Sequence, residues 1–248
     1  MRLAASLLCA LAGAATAVEN PLRFDNWVYY TKNFDGSAQW EYDPRLLAPF
    51  SLGNGWTFTQ RIDIPFYYTD KVGAANPQGA WSFRLSDAFV EEIFDTPDLM
   101  LDFRPRVSVR VVAPTGGAAP FGQDQWQVAP GAGFTWQLPD VGRGMTVSPY
   151  LRYFIGFDAQ SPGVTTVRSV NVIPTVTFAI AGRWSALLYP EKGLQYNVRS
   201  RQWFVPFEAM LLNRVSSTLE FAIGGAYAIV RDDPSYRWLV EARLSCTF

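Results

Sequence analysis

Residues 238–248 read Trp-Leu-Val-Glu-Ala-Arg-Leu-Ser-Cys-Thr-Phe, and they alternate to the last position. Trp238, Val240, Ala242, Leu244, Cys246 and Phe248 fall on one face; Leu239, Glu241, Arg243, Ser245 and Thr247 fall on the other. Successive side chains of a strand point to opposite faces, so this is a strand with one apolar and one mostly polar side. An apolar stripe ending on an aromatic suits a strand that crosses a bilayer and places that ring at the interface. The expectation is the closing strand of an outer-membrane β-barrel.

The other end of the chain agrees. Arg2 supplies a positive start, residues 3–14 an apolar stretch, and Ala15-Thr16-Ala17 a small-residue cleavage site. This predicts a signal peptide over 1–17 and a barrel over 18–248. No later apolar run reaches the roughly 18 residues of a spanning helix, so an exported chain of this kind is either a barrel or a soluble periplasmic sandwich. With 21 basic and 22 acidic residues there is no basic excess to hold nucleic acid. Export would leave Cys246 as the single cysteine, so no internal disulfide is expected.

Alternation recurs along the chain. The strand of residues 39–50 turns Trp40, Tyr42, Leu46 and Phe50 one way and Glu41, Asp43 and Arg45 the other. After Asn54-Gly55, Phe58, Ile62, Ile64, Phe66 and Tyr68 oppose Arg61 and Asp63. Residues 81–94 change parity, which predicts a bulge near Ser86. Residues 101–111 are the clearest: Leu101, Phe103, Val107, Val109 and Val111 oppose Asp102, Arg104, Arg106, Ser108 and Arg110. An arginine facing hydrocarbon costs about 2–4 kcal/mol at the midplane, so these must face inward. Residues 125–138, 145–158 (with Arg152 inward), 166–181, 184–189, 202–212 and 218–230 (with Glu220 inward) complete the pattern with the closing strand. An aromatic first strand lies between residues 20 and 34; its register cannot be read.

The count is an all-β, antiparallel, up-and-down transmembrane barrel of about 12 strands. Connections support it, because short ones (51–55, 95–98, 139–144, 182–183, 213–217) alternate with longer ones (70–80, 114–124, 159–165, 190–201). A sandwich gives no reason for that alternation. Prolines inside the strands, such as Pro44, Pro65, Pro105, Pro130, Pro149, Pro174 and Pro206, remove ladder donors and predict bulges or unpaired positions.

Several stretches occur in a characteristic order. They are Asn20-Pro21, residues 47–56 (LAPFSLGNGW), Arg61 to Pro65, Leu85-Ser86-Asp87, Ala113-Pro114-Thr115-Gly116, Gln125-Trp126-Gln127 with Pro130-Gly131, Pro174, and residues 202–206 (QWFVP). In this the chain resembles the Gram-negative outer-membrane barrel transporter family labelled as the MetA pathway of phenol degradation. The family pattern has Gly-Leu-Gly-Asp where this chain has Arg84-Leu85-Ser86-Asp87. The resemblance implies a barrel that passes small, often hydrophobic, molecules.

The chain contains no histidine. Outer-membrane phospholipases and omptin-like proteases use one as general base, so no catalytic residue, enzyme activity, metal site or cofactor is expected. The candidate site is the lumen: Arg45, Arg61, Arg104, Arg106, Arg110, Arg152 and Arg243 with Glu41, Asp43, Asp63, Asp102, Glu220 and Glu241. Such rings screen solutes by charge in pores; equally, salt-bridged ladders fill narrow barrels. The expected function is an outer-membrane channel for small molecules, hydrophobic or aromatic ones among them, with Arg104, Arg106 and Arg110 as an electropositive wall. The alternative is a non-conducting scaffold acting through its outer loops. Expected partners are outer-membrane lipid, a small-molecule solute, and the barrel-assembly machinery through the strand ending at Phe248, with no nucleic acid. Tryptophan and tyrosine are expected mainly as interfacial girdles.

Overall fold

The structure is a computed structural model that describes residues 21–100, 102–141, 144–232 and 235–248. The expected signal peptide and the outward position of Leu101 lie outside the described residues. Fifteen β-segments form one antiparallel sheet: β1 (Arg23–Lys32), β2 (Ala38–Gly53), β3 (Trp56–Asp63), β4 (Phe66–Thr69), β5 (Ser82–Leu85), β6 (Phe89–Asp95), β7 (Phe103–Val112), β8 (Gln125–Leu138), β9 (Met145–Ala159), β10 (Arg168–Ala181), β11 (Trp184–Leu188), β12 (Leu194–Asn197), β13 (Gln202–Arg214), β14 (Leu219–Arg231) and β15 (Trp238–Thr247). The pairs β3/β4, β5/β6 and β11/β12 each run as one interrupted stave. The result is a closed barrel of 12 staves.

Closure rests on β1, which pairs with β15 from Arg23 opposite Thr247 to Lys32 opposite Trp238, and with β2 on its other edge. The decisive stretch of the sequence is therefore the seam of the barrel. Its parity holds: Leu239, Glu241, Arg243 and Ser245 are buried inside, while Val240 and Leu244 are exposed on the outer surface. Residues 51–55 and the other short connections gather at the end holding both seam termini, and the long ones gather at the opposite, outer end.

The wall is apolar outside and polar inside. Trp40, Tyr42, Val107, Val109, Val111, Leu151, Ile223 and Ile229 are exposed, whereas Asp43, Arg45, Arg61, Asp63, Glu91, Arg110 and Arg152 are buried. Aromatic rings cluster at both rims of the outer surface. Near the outer end Tyr30 packs at a tilt against Trp40 (4.8 Å) and Trp238 (5.6 Å), and Tyr68 against Trp81 (4.7 Å). Towards the inner end lie Phe50, Phe58 and Phe94, and Phe103 with Phe134. Rings at both rims are where interfacial girdles would lie, although those just named at the inner end are phenylalanines rather than the expected tryptophan and tyrosine.

Prolines interrupt the ladder without opening the barrel. Pro65 separates β3 from β4, Pro206 sits at a register shift against β14, and the β8–β9 register skips Ala129 and Pro130. The parity change near Ser86 is a true break between β5 and β6. Among the described residues β5 pairs only with β4, and its far edge has no strand against it. Residues 113–124 close over this place instead. Phe121 is fully buried, its carbonyl accepts from Ser86 Oγ (2.6 Å), and Asp87 accepts from the amides of Gly116 (3.0 Å) and Gln123 (2.7 Å).

One expectation needs correcting. Residues 190–201 are not simply an outer loop. Pro190 has no donor for the ladder and Gly193 adopts φ +60°, so the stave folds inward over residues 189–193 and rejoins the wall as β12. Only residues 198–201 remain as the outer turn.

Candidate functional site

The interior divides in two. Against β13, β14, β15 and β1 lies an apolar core of Trp27, Tyr29, Leu187, Phe204, Met210, Ala222, Ala226, Ala228, Tyr236 and Leu239. Trp27 and Tyr29 are inward residues of β1 whose register the sequence left open, because both of its faces carry aromatic rings. Facing this core, across β2, β3, β6, β7 and β9, stands a network of charges.

Its centre is Glu91, which has no solvent exposure. Arg110 reaches it at 2.8 Å, Arg152 at 3.0 Å and 3.1 Å, and Ser108 Oγ donates to it at 2.7 Å; Arg61 lies 3.8 Å away. Ser108 in turn meets the Tyr150 hydroxyl. Tyr150 has room because Gly131 and Gly133 face it: a Cβ on either would lie within 2.6 Å of its ring or hydroxyl. Asp63 is equally buried and holds Arg61 through two bonds of 2.7 Å and Arg45 through one of 2.8 Å. Asp43 adds a bond to Arg45 at 3.3 Å.

The inward fold completes the network from across the barrel. Glu191 accepts from Arg61 at 2.8 Å and from Arg45 at 3.1 Å, and Lys192 Nζ donates to Glu41 at 3.2 Å. Glu208 on β13 fastens the fold from behind by accepting from the amides of Lys192 and Gly193 (3.2 and 3.3 Å). Asn171 and Thr175 on β10 donate to the carbonyls of Lys192 and Tyr189. Buried charges are tolerated only when paired and hydrogen-bonded in this way.

The lumen residues read from the sequence are thus distributed unevenly. Arg45, Arg61, Asp63, Asp43, Arg110 and Arg152 meet in one cluster, with Glu41 beside it. Arg243 pairs with Glu220 near the inner rim, together with Arg23. Glu241 is buried, and neither of its carboxylate oxygens has a hydrogen-bond partner among the described residues. Asp102 departs from expectation: it is an exposed turn residue with φ +58° at the inner end, ahead of β7 rather than in the wall. The three arginines of β7 do not form an unopposed positive wall either, since Arg104 pairs with Asp98 (3.1 Å), Arg106 with Asp95 (2.6 Å) and Arg110 with Glu91. The reason is register: β6 lays an acid opposite two of them, Asp95 against Arg106 and Glu91 against Arg110.

Above the cluster a cavity of about 680 Å³ opens among outer-end residues, including Gln123, Thr165 and Ser200. Phe89, Phe154 and Tyr29 give it apolar walls, Arg168 and Arg199 stand at its mouth, and Glu191, Arg61, Arg110 and Arg152 form its floor. Phe89 lies beneath the guanidinium groups of Arg110 (3.8 Å) and Arg61 (5.0 Å).

No family model matches the chain, and no curated protein matches it by sequence. Solved structures do. The COG4313 outer membrane channel from Pseudomonas putida F1 superposes with a TM-score of 0.73 at 12% identity, over 95% of this chain and 98% of that one. The fold is that of an outer-membrane β-barrel. The NanC porin follows with a TM-score of 0.55 at 13% identity, over 92% and 98% of the two chains. The beta domain of the Bordetella autotransporter BrkA gives 0.55 at 10% identity, over 92% and 99%. These likenesses are of fold: a closed, antiparallel barrel of the outer-membrane kind.

Sequence reasoning missed Glu91, Glu191, Lys192 and Glu208. A signal existed for the first: three inward arginines at one height, Arg61, Arg110 and Arg152, require an acid on the same face. None existed for Glu191, whose polar, Pro- and Gly-bearing neighbourhood reads the same in a loop and in an inward fold.

Proposed function

We propose that this barrel is a channel for small molecules, entered from the outer end and belonging with the Pseudomonas putida channel in the family that the sequence motifs resemble. The observation that carries this reading is the cavity of about 680 Å³ inside the barrel. Sites for small ligands are typically about 300–1,000 Å³, lined by aromatic side chains with a few placed polar groups. Phe89, Phe154 and Tyr29 supply apolar surface for the body of a solute, and the guanidinium groups at mouth and floor attract a polar or negative end. The chain has no histidine, the usual general base of a hydrolase at neutral pH, and this supports transport rather than hydrolysis.

Arg104, Arg106 and Arg110 remain candidates for charge selection, now as paired groups along the path from the cluster to the inner rim. Recordings of the refolded protein in planar bilayers under a salt gradient test this. Openings with anion preference are expected in the wild type, and a weakened preference in the triple variant R104Q/R106Q/R110Q. A correctly folded barrel that never opens, with small-molecule solutes added or without them, would sink the channel reading and leave the scaffold one standing.

A further inference from the structure

Glu191 is unusual among the charges of the network because it does not come from the wall that holds the cluster. Arg45 and Arg61 belong to β2 and β3; Glu191 reaches them from the fold between β11 and β12, on the far side of the barrel. Both guanidinium groups are nearly buried, with side-chain exposures of 6% and 8%, whereas Glu191 retains 17% and lines the cavity. Each arginine turns one N–H towards Glu191 and the rest towards wall-bound acids. Two forks converging on one carboxylate make a carboxylate-binding site, and here the chain fills it with its own side chain.

Charge balance shows what the site requires. Four guanidinium groups (Arg45, Arg61, Arg110 and Arg152) are matched by four carboxylates (Asp43, Asp63, Glu91 and Glu191). Without Glu191 the guanidinium groups of Arg45 and Arg61 lose the one carboxylate that reaches them from the cavity side, a place that another anion can take.

We propose that Arg45 and Arg61 form a subsite for a small organic carboxylate, occupied at rest by Glu191, and that a solute carboxylate arriving through the outer cavity takes the place of Glu191 and releases the inward fold. Glu191 is then an internal competitor, and its contact with Arg45 and Arg61 is an autoinhibitory latch. Phe89 and the adjoining cavity leave room for an apolar body behind the carboxylate. Lys192 with Glu41 is the second tie between the fold and β2. A ligand opens such a latch only through its differential affinity for the released state.

This inference rests on the channel reading only for its second half, and the experiment separates the two. Benzoate, with its uncharged isostere benzamide as control, is titrated calorimetrically into detergent-folded wild type and Glu191→Gln. The same proteins are recorded in bilayers with each compound added on the side of the long loops. Expected results are benzoate affinity at least ten-fold higher in Glu191→Gln than in wild type, benzamide indifferent to the substitution, and a higher open probability for Glu191→Gln. Wild type should open more often with benzoate and not with benzamide; this arm needs no variant and stands even if Glu191→Gln does not fold. Equal benzoate affinity in both proteins, or benzamide acting as well as benzoate, overturns the subsite. Discriminating binding without any opening would keep the subsite and defeat the channel reading. Openings indifferent to benzoate in both proteins would do the reverse.

Discussion

Glu91 serves three arginines at once, and that makes it the costliest single residue to remove from the lumen. Taking one partner from a buried ion pair strands the others in a medium that solvates them poorly, at about 3–5 kcal/mol. Glu91→Gln should therefore lower the stability of the refolded barrel by that order, read from the shift of its urea-unfolding midpoint. Asp98→Asn provides the contrast. Its pair with Arg104 sits at the inner rim with side-chain exposures of 51% and 42%, where water screens the interaction and about 0–1 kcal/mol is at stake. If both variants shift the midpoint equally, the cluster is not the buried unit described. Sequence could place Arg61, Arg110 and Arg152 on the inner face, because arginine cannot face lipid. It could not pair them, because pairing is set by register across strands, and the neighbouring stave changes parity at Ser86.

Strands with strict alternation were legible down to individual side chains. β7 and β15 turn outward every residue that their patterns assign outward among those described, and the broken parity near Ser86, expected as a bulge, is a break between β5 and β6. β1 could not be read because an apolar core occupies that side of the interior, so its inward face is as aromatic as its outward one. The β11/β12 stave was misread because proline and glycine mark a loop and an inward fold alike. Gly193 decides between them in space: its φ is +60°, and a Cβ there would lie 2.5 Å from the Val172 carbonyl oxygen. Gly193→Ala should loosen the fold, destabilising the barrel by roughly 1–2 kcal/mol, the cost of a left-handed conformation for a residue bearing a Cβ. An unfolding midpoint identical to wild type would show that the fold repacks freely.

At the scale of the whole molecule the barrel closes through β1 and yet leaves one edge, that of β5, without a strand partner among the described residues. Residues 113–124 act as its cover, through buried Phe121 and the bonds to Ser86 and Asp87. Replacing residues 114–124 with a short Gly-Ser turn should therefore keep the barrel's β content by circular dichroism but lower its thermal midpoint. An unchanged midpoint would mark the segment as a free surface loop, available to partners. The barrel's class, its strand count and the segregation of short and long connections to opposite ends were readable beforehand because each repeats many times along the chain; the interior was not, because its contacts are made once each and across the full width of the lumen.

The fold over residues 189–193 is tethered to the wall at both ends, and this fixes the scale on which any solute must act. A group held by so short a tether stays near its site at an effective concentration in the millimolar range or above. It cannot diffuse away, and it returns as soon as the site is vacated. A competing carboxylate of similar intrinsic affinity must reach comparable concentration in the cavity before it wins. On the latch proposed above, the wild-type barrel would admit an anion that is abundant outside the cell and stay shut against traces of it, and the tether would reset it without any other source of energy.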